Sequence, residues 1–289
     1  MFNNIVLKFY ILLQKKYLTE LIGLISKKKL GWINQIFIRF FIWYHQVNMK
    51  EVKISNIKAY HTFNDFFTRE LHNKARKIDF CTNSIVFPCD GLISGFGHIT
   101  KNNLYQAKKY FYSLESLLAG DDYLSRLFYD GLYMTVRIPL GDYHRVHMPC
   151  NATLYKILYV PGDLYSLNSS LIQKIPNIFA RNERVICFFN TDFGSLIQIL
   201  VGSACRGNIE TIGLGTVMPT RKGVIKKWIW KEDSKINNNI VLLKGEQMGC
   251  FHLGSTVINL FQKNQIIFSD NLMIGKKIFY GTRLGIKKY

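Results

Sequence analysis

The sequence predicts an α+β protein, helical at its start and β-rich thereafter. The partition of glycine and proline carries most of that prediction. Residues 1–90 hold only Gly23, Gly31 and Pro88, whereas the other nineteen glycines and five prolines lie between Gly91 and Gly285. Glycine and proline punctuate turns, so a long stretch without them reads as helix and a stretch dense in them as short strands. The 289 residues are 48% hydrophobic with 21 Phe, 16 Tyr and 4 Trp, enough to bury a sizeable core and unlike a disordered chain.

Two amphipathic helices are expected first, over Asn4–Ser26 and Trp32–Gln46, where Leu, Ile and aromatics are interleaved with basic residues. The first fifty residues carry eight Lys or Arg and a single acid, Glu20. An apolar face with a cationic rim suits the headgroup layer of anionic lipid, although the same face can pack on the protein's own core. A third helix is expected from Thr62, whose spacing to Asp65 suits a capping box before Phe66 and Phe67. Ser113–Tyr129 is a further helix candidate, ending before Gly131. Strand-like runs follow at 84–87, 133–138, 154–160, 185–189, 195–202, 225–230, 240–243 and 256–261. The domain reading is a helical region over 1–80 suited to associating with a membrane and a β-rich domain over 81–289.

The formal net charge of +19 favours an anionic partner: nucleic acid, a membrane surface or an acidic substrate. No zinc-finger spacing, aromatic RNP motif or helix-turn-helix pattern supports nucleic acid. The six cysteines form no C-x-x-C pair and no zinc-ligand grouping with His, so no metal is expected and the thiols read as buried and reduced. No run free of charged residues reaches the about 20 apolar residues of a membrane span. No signal peptide is expected either, since Lys8, Lys15 and Lys16 interrupt the first apolar stretch.

Three segments stand out chemically: Phe87–Gly91 with Asp90 in a Pro/Gly turn, Asp142–Pro149 with His144 and His147, and Lys244–Ile258 with Gly254-Ser255 before an apolar run. Each alone has a structural explanation, since Asp-Gly is a common turn pair and a lone histidine is commonly just hydrogen-bonded. Together an acid, an imidazole and a serine match the parts of an activated hydroxyl nucleophile. Spacing does not join them.

The chain resembles the phosphatidylserine decarboxylase family, in its bacterial, membrane-associated, pyruvoyl-dependent branch. The likeness runs in order through Thr62–Arg69, Pro88–Gly91, Tyr112–Leu114, Asp142–His147, Tyr159–Leu164, Phe179–Val185, Lys244-Gly245 and Leu253–Ile258. The resemblance implies a barrel-sandwich-like core and autocatalytic cleavage between Gly254 and Ser255, giving a β chain 1–254 and an α chain 255–289 that stay together. Ser255 would attack the Gly254 carbonyl and end as the covalent pyruvoyl cofactor, which forms a Schiff base with phosphatidylserine and yields phosphatidylethanolamine and CO2. His147 would be the base and Asp90 its orienting acid. His144 is the candidate proton donor for the decarboxylation, and Arg145, Arg181 and Arg184 are candidates for phosphate or carboxylate contacts. The implied setting is peripheral, on the cytoplasmic side of the cell membrane, as a heterodimer of the two chains that pairs further. Ser203 and Arg206 depart from the smaller, more apolar residues of the family in that strand region. Two other readings stay open, a pyruvoyl-dependent decarboxylase of a soluble amino acid and a non-enzymatic lipid-binding descendant.

Overall fold

A computed structural model describes residues 25–107, 110–203, 209–217, 223–230, 240–252 and 255–288. All but the last two residues of the expected helix Asn4–Ser26 lie outside these, as does Arg206.

The second expected helix forms over Trp32–His45. It ends at Gln46, in the left-handed conformation at φ 51°, and the Val47 amide bonds back to the Ile42 carbonyl at 3.0 Å, a Schellman-type stop. Only Asn34 and Ile38 of this helix are buried. Ile38 sits in a small core with Val52, Tyr60 and Phe66. Asn34 donates to the Lys28 and His61 carbonyls at 2.9 and 2.8 Å, which ties the helix to the following segment. Trp32, Phe40, Trp43 and Tyr44 stay exposed. The helix from Thr62 is a short one, Phe63–Phe67, with both bonds of the capping box present at 3.0 Å.

The 113–129 segment departs from expectation. It forms two short helices, Leu114–Leu117 and Asp122–Arg126, rather than one. Ala119 and Gly120 between them take φ of 66° and 85°, a break that a helix does not survive. The Asp121 side chain then caps the second helix through the Leu124 amide at 3.0 Å.

The largest sheet has nine strands. Its path runs Lys226–Ile229, Ala152–Val160, Arg184–Thr191, Gly194–Gly202, Ser255–Phe261, Leu132–Ile138, Gly91–His98 and Lys277–Ile278, with Ile240–Leu242 also paired to Ala152–Val160. Smaller sheets of four, three and two strands accompany it. The architecture is thus α+β and strongly β-rich. Ser255–Phe261 lies inside the large sheet, antiparallel to a neighbour on each side over all seven residues. Its residues alternate between faces. Val257 and Phe261 enter a core shared with the three- and four-stranded sheets, and Ile258 and Leu260 enter a second core under the short helices. That period-2 alternation fixes the register of the strand.

Candidate active site

Asp90 and His147 are brought together by their backbones. The His147 amide donates to the Pro88 carbonyl at 2.7 Å, which lays the strand Arg145–His147 beside the Pro88–Gly91 turn. Gly91 allows that turn to press against the next strand. A Cβ built there would stand 2.5 Å from the Arg137 carbonyl oxygen and 2.8 Å from the Val136 side chain, so no other residue fits.

The Asp90 carboxylate is buried, at 2% exposure, and is held by Arg76. The Arg76 Nε lies 3.1 Å from both carboxylate oxygens and its Nη2 lies 2.5 Å from Oδ2. The Tyr280 amide donates to Oδ1 at 2.9 Å. Burial raises the Asp90 pKa above the ordinary carboxylate value, opposed by the hydrogen bonds and charge of Arg76 and by the Tyr280 amide. Burial alone disfavours the Arg76 cation, yet its bonds to Asp90 and Glu51 leave its pKa raised.

The His147 ring does not meet Asp90 directly. Its Nδ1 lies 2.8 Å from the Gly245 carbonyl and its Nε2 3.1 Å from the Tyr143 hydroxyl. A carbonyl can only accept, so Nδ1 carries the proton and Nε2 the lone pair, with Tyr143 donating to it. The ring stacks on Tyr280 at 3.9 Å and an interplanar angle of 6°. Tyr280 therefore joins the two residues, with its ring on His147 and its amide on Asp90. Burial drives the His147 pKa down to about 4, opposed by the Gly245 bond, so the imidazole is neutral at pH 7. The roles of Arg76, Tyr143, Gly245 and Tyr280 were not read from sequence. For Lys244-Gly245 the motif itself was the available signal.

His144 is fully buried, stacks on Phe67 at 4.1 Å and has Nε2 3.1 Å from the Leu140 carbonyl. Burial lowers its pKa to about 3, also leaving it neutral. Its backbone carbonyl accepts from the Phe251 amide at 3.0 Å. That bond continues the pairing of Gln247–Phe251 with Arg145–His147. Four residues past Phe251 the chain is in the large sheet, where Ser255 pairs with Ile138 and Gly202. The linker between histidine-bearing ladder and central strand is therefore the very segment named for cleavage. Leu253, Gly254 and the Ser255 side chain lie outside the described residues.

A cavity of about 250 Å³ opens beside Asp90, with Arg69, Arg76, Asp142, Tyr143 and Lys277 in its wall. The arginines singled out in the sequence are engaged by the protein. Arg145 holds the Thr68 carbonyl, Gln247 and Glu70. Arg181 holds Asp163 and Tyr165, and Arg184 is buried against the carbonyls of Ser116, Leu117, Ala180 and Asn182. The Ser203 hydroxyl lies 3.2 Å from the Leu167 amide, which donates to it.

The chain is similar to known proteins over nearly its whole length. The family model described as phosphatidylserine decarboxylase matches residues 63–286. A phosphatidylserine decarboxylase proenzyme from Erwinia tasmaniensis is 48% identical over 285 residues, covering 99% of this chain and 94% of the relative. Proenzymes of the same name from Citrobacter koseri and Escherichia coli O9:H4 are 44% and 46% identical, covering 98% and 94% of this chain and 90% and 84% of theirs. With matches of that extent, the chain belongs to the phosphatidylserine decarboxylase family.

Proposed function

We propose that this protein decarboxylates phosphatidylserine to phosphatidylethanolamine for phospholipid biosynthesis, after severing its own chain between Gly254 and Ser255. Family membership carries the reaction. The observation that carries the self-cleavage is the neutral His147, whose proton-bearing Nδ1 is fixed by Gly245 and whose Nε2 is free of a proton. A serine hydroxyl is a weak nucleophile until a base takes its proton. In our reading His147 Nε2 takes the Ser255 proton. Asp90, whose charged form Arg76 and the Tyr280 amide favour against the effect of burial, stabilises the imidazolium through the Tyr280 bridge rather than by touching the ring. Burial depresses the basicity of His147, which costs driving force but keeps the whole population in the base form at neutral pH.

The pyruvoyl group would be made from Ser255 and fits that position. The strand it heads is paired on both sides, so a new chain end there stays anchored after the cut. When present, it supplies an electrophilic ketone and an electron sink for carboxylate loss. In this reading His144, neutral at rest, takes up the proton that the substrate's ammonium gives up and returns it to the carbon that loses CO2. Its burial against Phe67 excludes water from that proton.

We further propose that the protein lies on the cytoplasmic side of the cell membrane. The 69%, 57%, 73% and 65% exposure of Trp32, Phe40, Trp43 and Tyr44 on one helix supports a membrane-facing surface. Among the described residues no helix is long and apolar enough to cross a membrane. In this reading residues 1–80 form the membrane-associating region, 81–289 the catalytic domain, and the packed sheets the barrel-sandwich core. The two cleaved chains remain a heterodimer, which pairs further.

Mass spectrometry of freshly purified protein, with a phosphatidylserine decarboxylation assay on the same sample, tests the proposal. The expected result is a fragment beginning at position 255, lighter than the serine form by one ammonia, together with CO2 release. CO2 release from an uncut chain would refute it.

A further inference from the structure

His147 offers one basic atom, and Tyr143 covers it. The ring's Nδ1 is bound to the Gly245 carbonyl at 2.8 Å, and one ring face lies on Tyr280 with centroids 3.9 Å apart. The Nε2 lone pair accepts from the Tyr143 hydroxyl at 3.1 Å, its only hydrogen-bond partner among the described residues. His147 and Tyr143 are each 6% exposed. A proton bound for Nε2 must therefore displace that hydroxyl or pass through it.

Three observations favour passage. Displacement would leave a buried phenol and a buried imidazole nitrogen unpaired, which costs the desolvation of both. The cavity of about 250 Å³ beside Asp90 has Tyr143 in its wall but not His147, so Tyr143 stands between the base and the open space. A hydroxyl also keeps two acceptor lone pairs besides its one proton. The Tyr143 proton goes to Nε2, and no described residue donates to its oxygen. Burial pushes the Tyr143 pKa well above the ordinary phenol value, with Tyr280 adding to the rise and Arg145 opposing it. A free phenolate is thus disfavoured, and a proton leaves this oxygen as another arrives.

The scission end of the central strand lies on the same side. Thr256, Arg137 and Leu92 stand abreast on three adjacent strands, so residue 255 and the Asp90–Gly91 turn are at one end of the large sheet. Val257, two residues on, packs into the core that holds Val146 and Met148, the chain neighbours of His147.

We propose that the Tyr143 hydroxyl relays the proton between Ser255 and His147 during self-cleavage. This rests on the cleavage proposed above. The Ser255 hydroxyl proton passes to the Tyr143 oxygen as the Tyr143 proton passes to Nε2. The serine oxygen bonds to the Gly254 carbonyl carbon, the imidazole becomes imidazolium, and the tyrosine ends neutral, as it began. The reverse path returns a proton to the amide nitrogen of residue 255 as its bond to Gly254 breaks. An ester and a free amine result, with no net gain or loss of protons.

The test uses the full chain, freshly translated in vitro and diluted into mixtures of water and deuterium oxide, with cleavage followed by timed mass spectrometry. The wild-type rate should bow below the straight line joining its values in the two pure solvents, because two protons move together. A straight line in wild type overturns the relay without any variant. Tyr143→Phe keeps the ring and its stacking, and should cleave about 100-fold more slowly, the lower range for loss of a proton-transfer group. Its residual rate should follow a straight line, and a bow that persists there would place the second proton elsewhere and overturn the assignment. Tyr143→Phe/His147→Ala should be no slower than His147→Ala, since groups acting in series do not add. Cleavage of Tyr143→Phe at the wild-type rate or faster, with wild type cut at 255, overturns the relay and leaves self-cleavage standing. Wild type that stays uncut overturns self-cleavage and the relay with it.

Discussion

Replacing Arg76 by Gln should leave Asp90 as a buried carboxylate with one backbone donor, and the size of the penalty follows from the structure. The pair is well buried, with side-chain exposures of 7% for Arg76 and 2% for Asp90. Three nitrogen–oxygen contacts between 2.5 and 3.1 Å are lost, and only the 2.9 Å Tyr280 amide remains on the carboxylate. Breaking a buried pair by removing one partner costs about 3–5 kcal/mol. The second contact, to Glu51 at 2.8 Å, adds little because Glu51 is 31% exposed and partly screened. Removing both charges is far cheaper, so Arg76→Gln/Asp90→Asn should regain most of the loss.

The pH dependence has a definite sign. Without Arg76 the folded-state pKa of Asp90 rises further above its unfolded value of about 3.9. The penalty is therefore absent below that pH, grows as pH rises toward the folded pKa, and is fully present above it. Urea unfolding of the uncut Ser255→Ala background at pH 7 and pH 4 measures all four corners of the cycle. A single-mutant cost below 1 kcal/mol, additive effects of the two substitutions, or a deficit that does not shrink at pH 4 would refute the argument.

Other expectations are simpler. Ser255→Ala should remain full length on a denaturing gel, and His147→Ala should slow cleavage by at least about 100-fold, the lower range for loss of a general base. In wild type, His147 at about pKa 4 predicts a cleavage rate that is flat from pH 8 down to about 5 and falls below that as the ring protonates, read by timed mass spectrometry. His144→Ala should cleave normally yet lose decarboxylation, and full turnover in that variant would remove His144 from the reaction. The triple change Trp32→Ser/Phe40→Ser/Trp43→Ser should weaken partition onto anionic vesicles about 100-fold if each ring loses roughly 40 Å² of contact at ~25 cal/mol per Å², measured by co-sedimentation.

How far the sequence revealed this molecule depended on what each segment's residues do locally. Runs such as 185–189 and 195–202 are dominated by Val, Ile, Leu and Phe, and they form strands close to the expected bounds, at Arg184–Thr191 and Gly194–Gly202. Gly91–His98 and Gln247–Phe251 contain glycines that read as turns, yet both are strands, because cross-strand pairing decides there and local propensity does not. The 113–129 helix failed at Ala119 and Gly120, where a turn outcompeted an amphipathic pattern. At the site, Asp90, His144 and His147 were named from motifs. Their partners Arg76, Gly245 and Tyr280 come from distant segments, and no periodicity connects them. Among the described residues Asp90 is held by Arg76 and Tyr280, and the His147 ring by Gly245 and Tyr143.

The seven-residue strand that begins at Ser255 has partners on both flanks. A segment clamped mid-sheet cannot be threaded in from outside without opening a ladder on either side, so a short peptide added in trans is not expected to complement a truncated chain. With the cut proposed at residue 255, maturation becomes a one-way commitment: a cleaved molecule that unfolds loses its new chain end to solution, and its working life is set by how slowly that sheet opens.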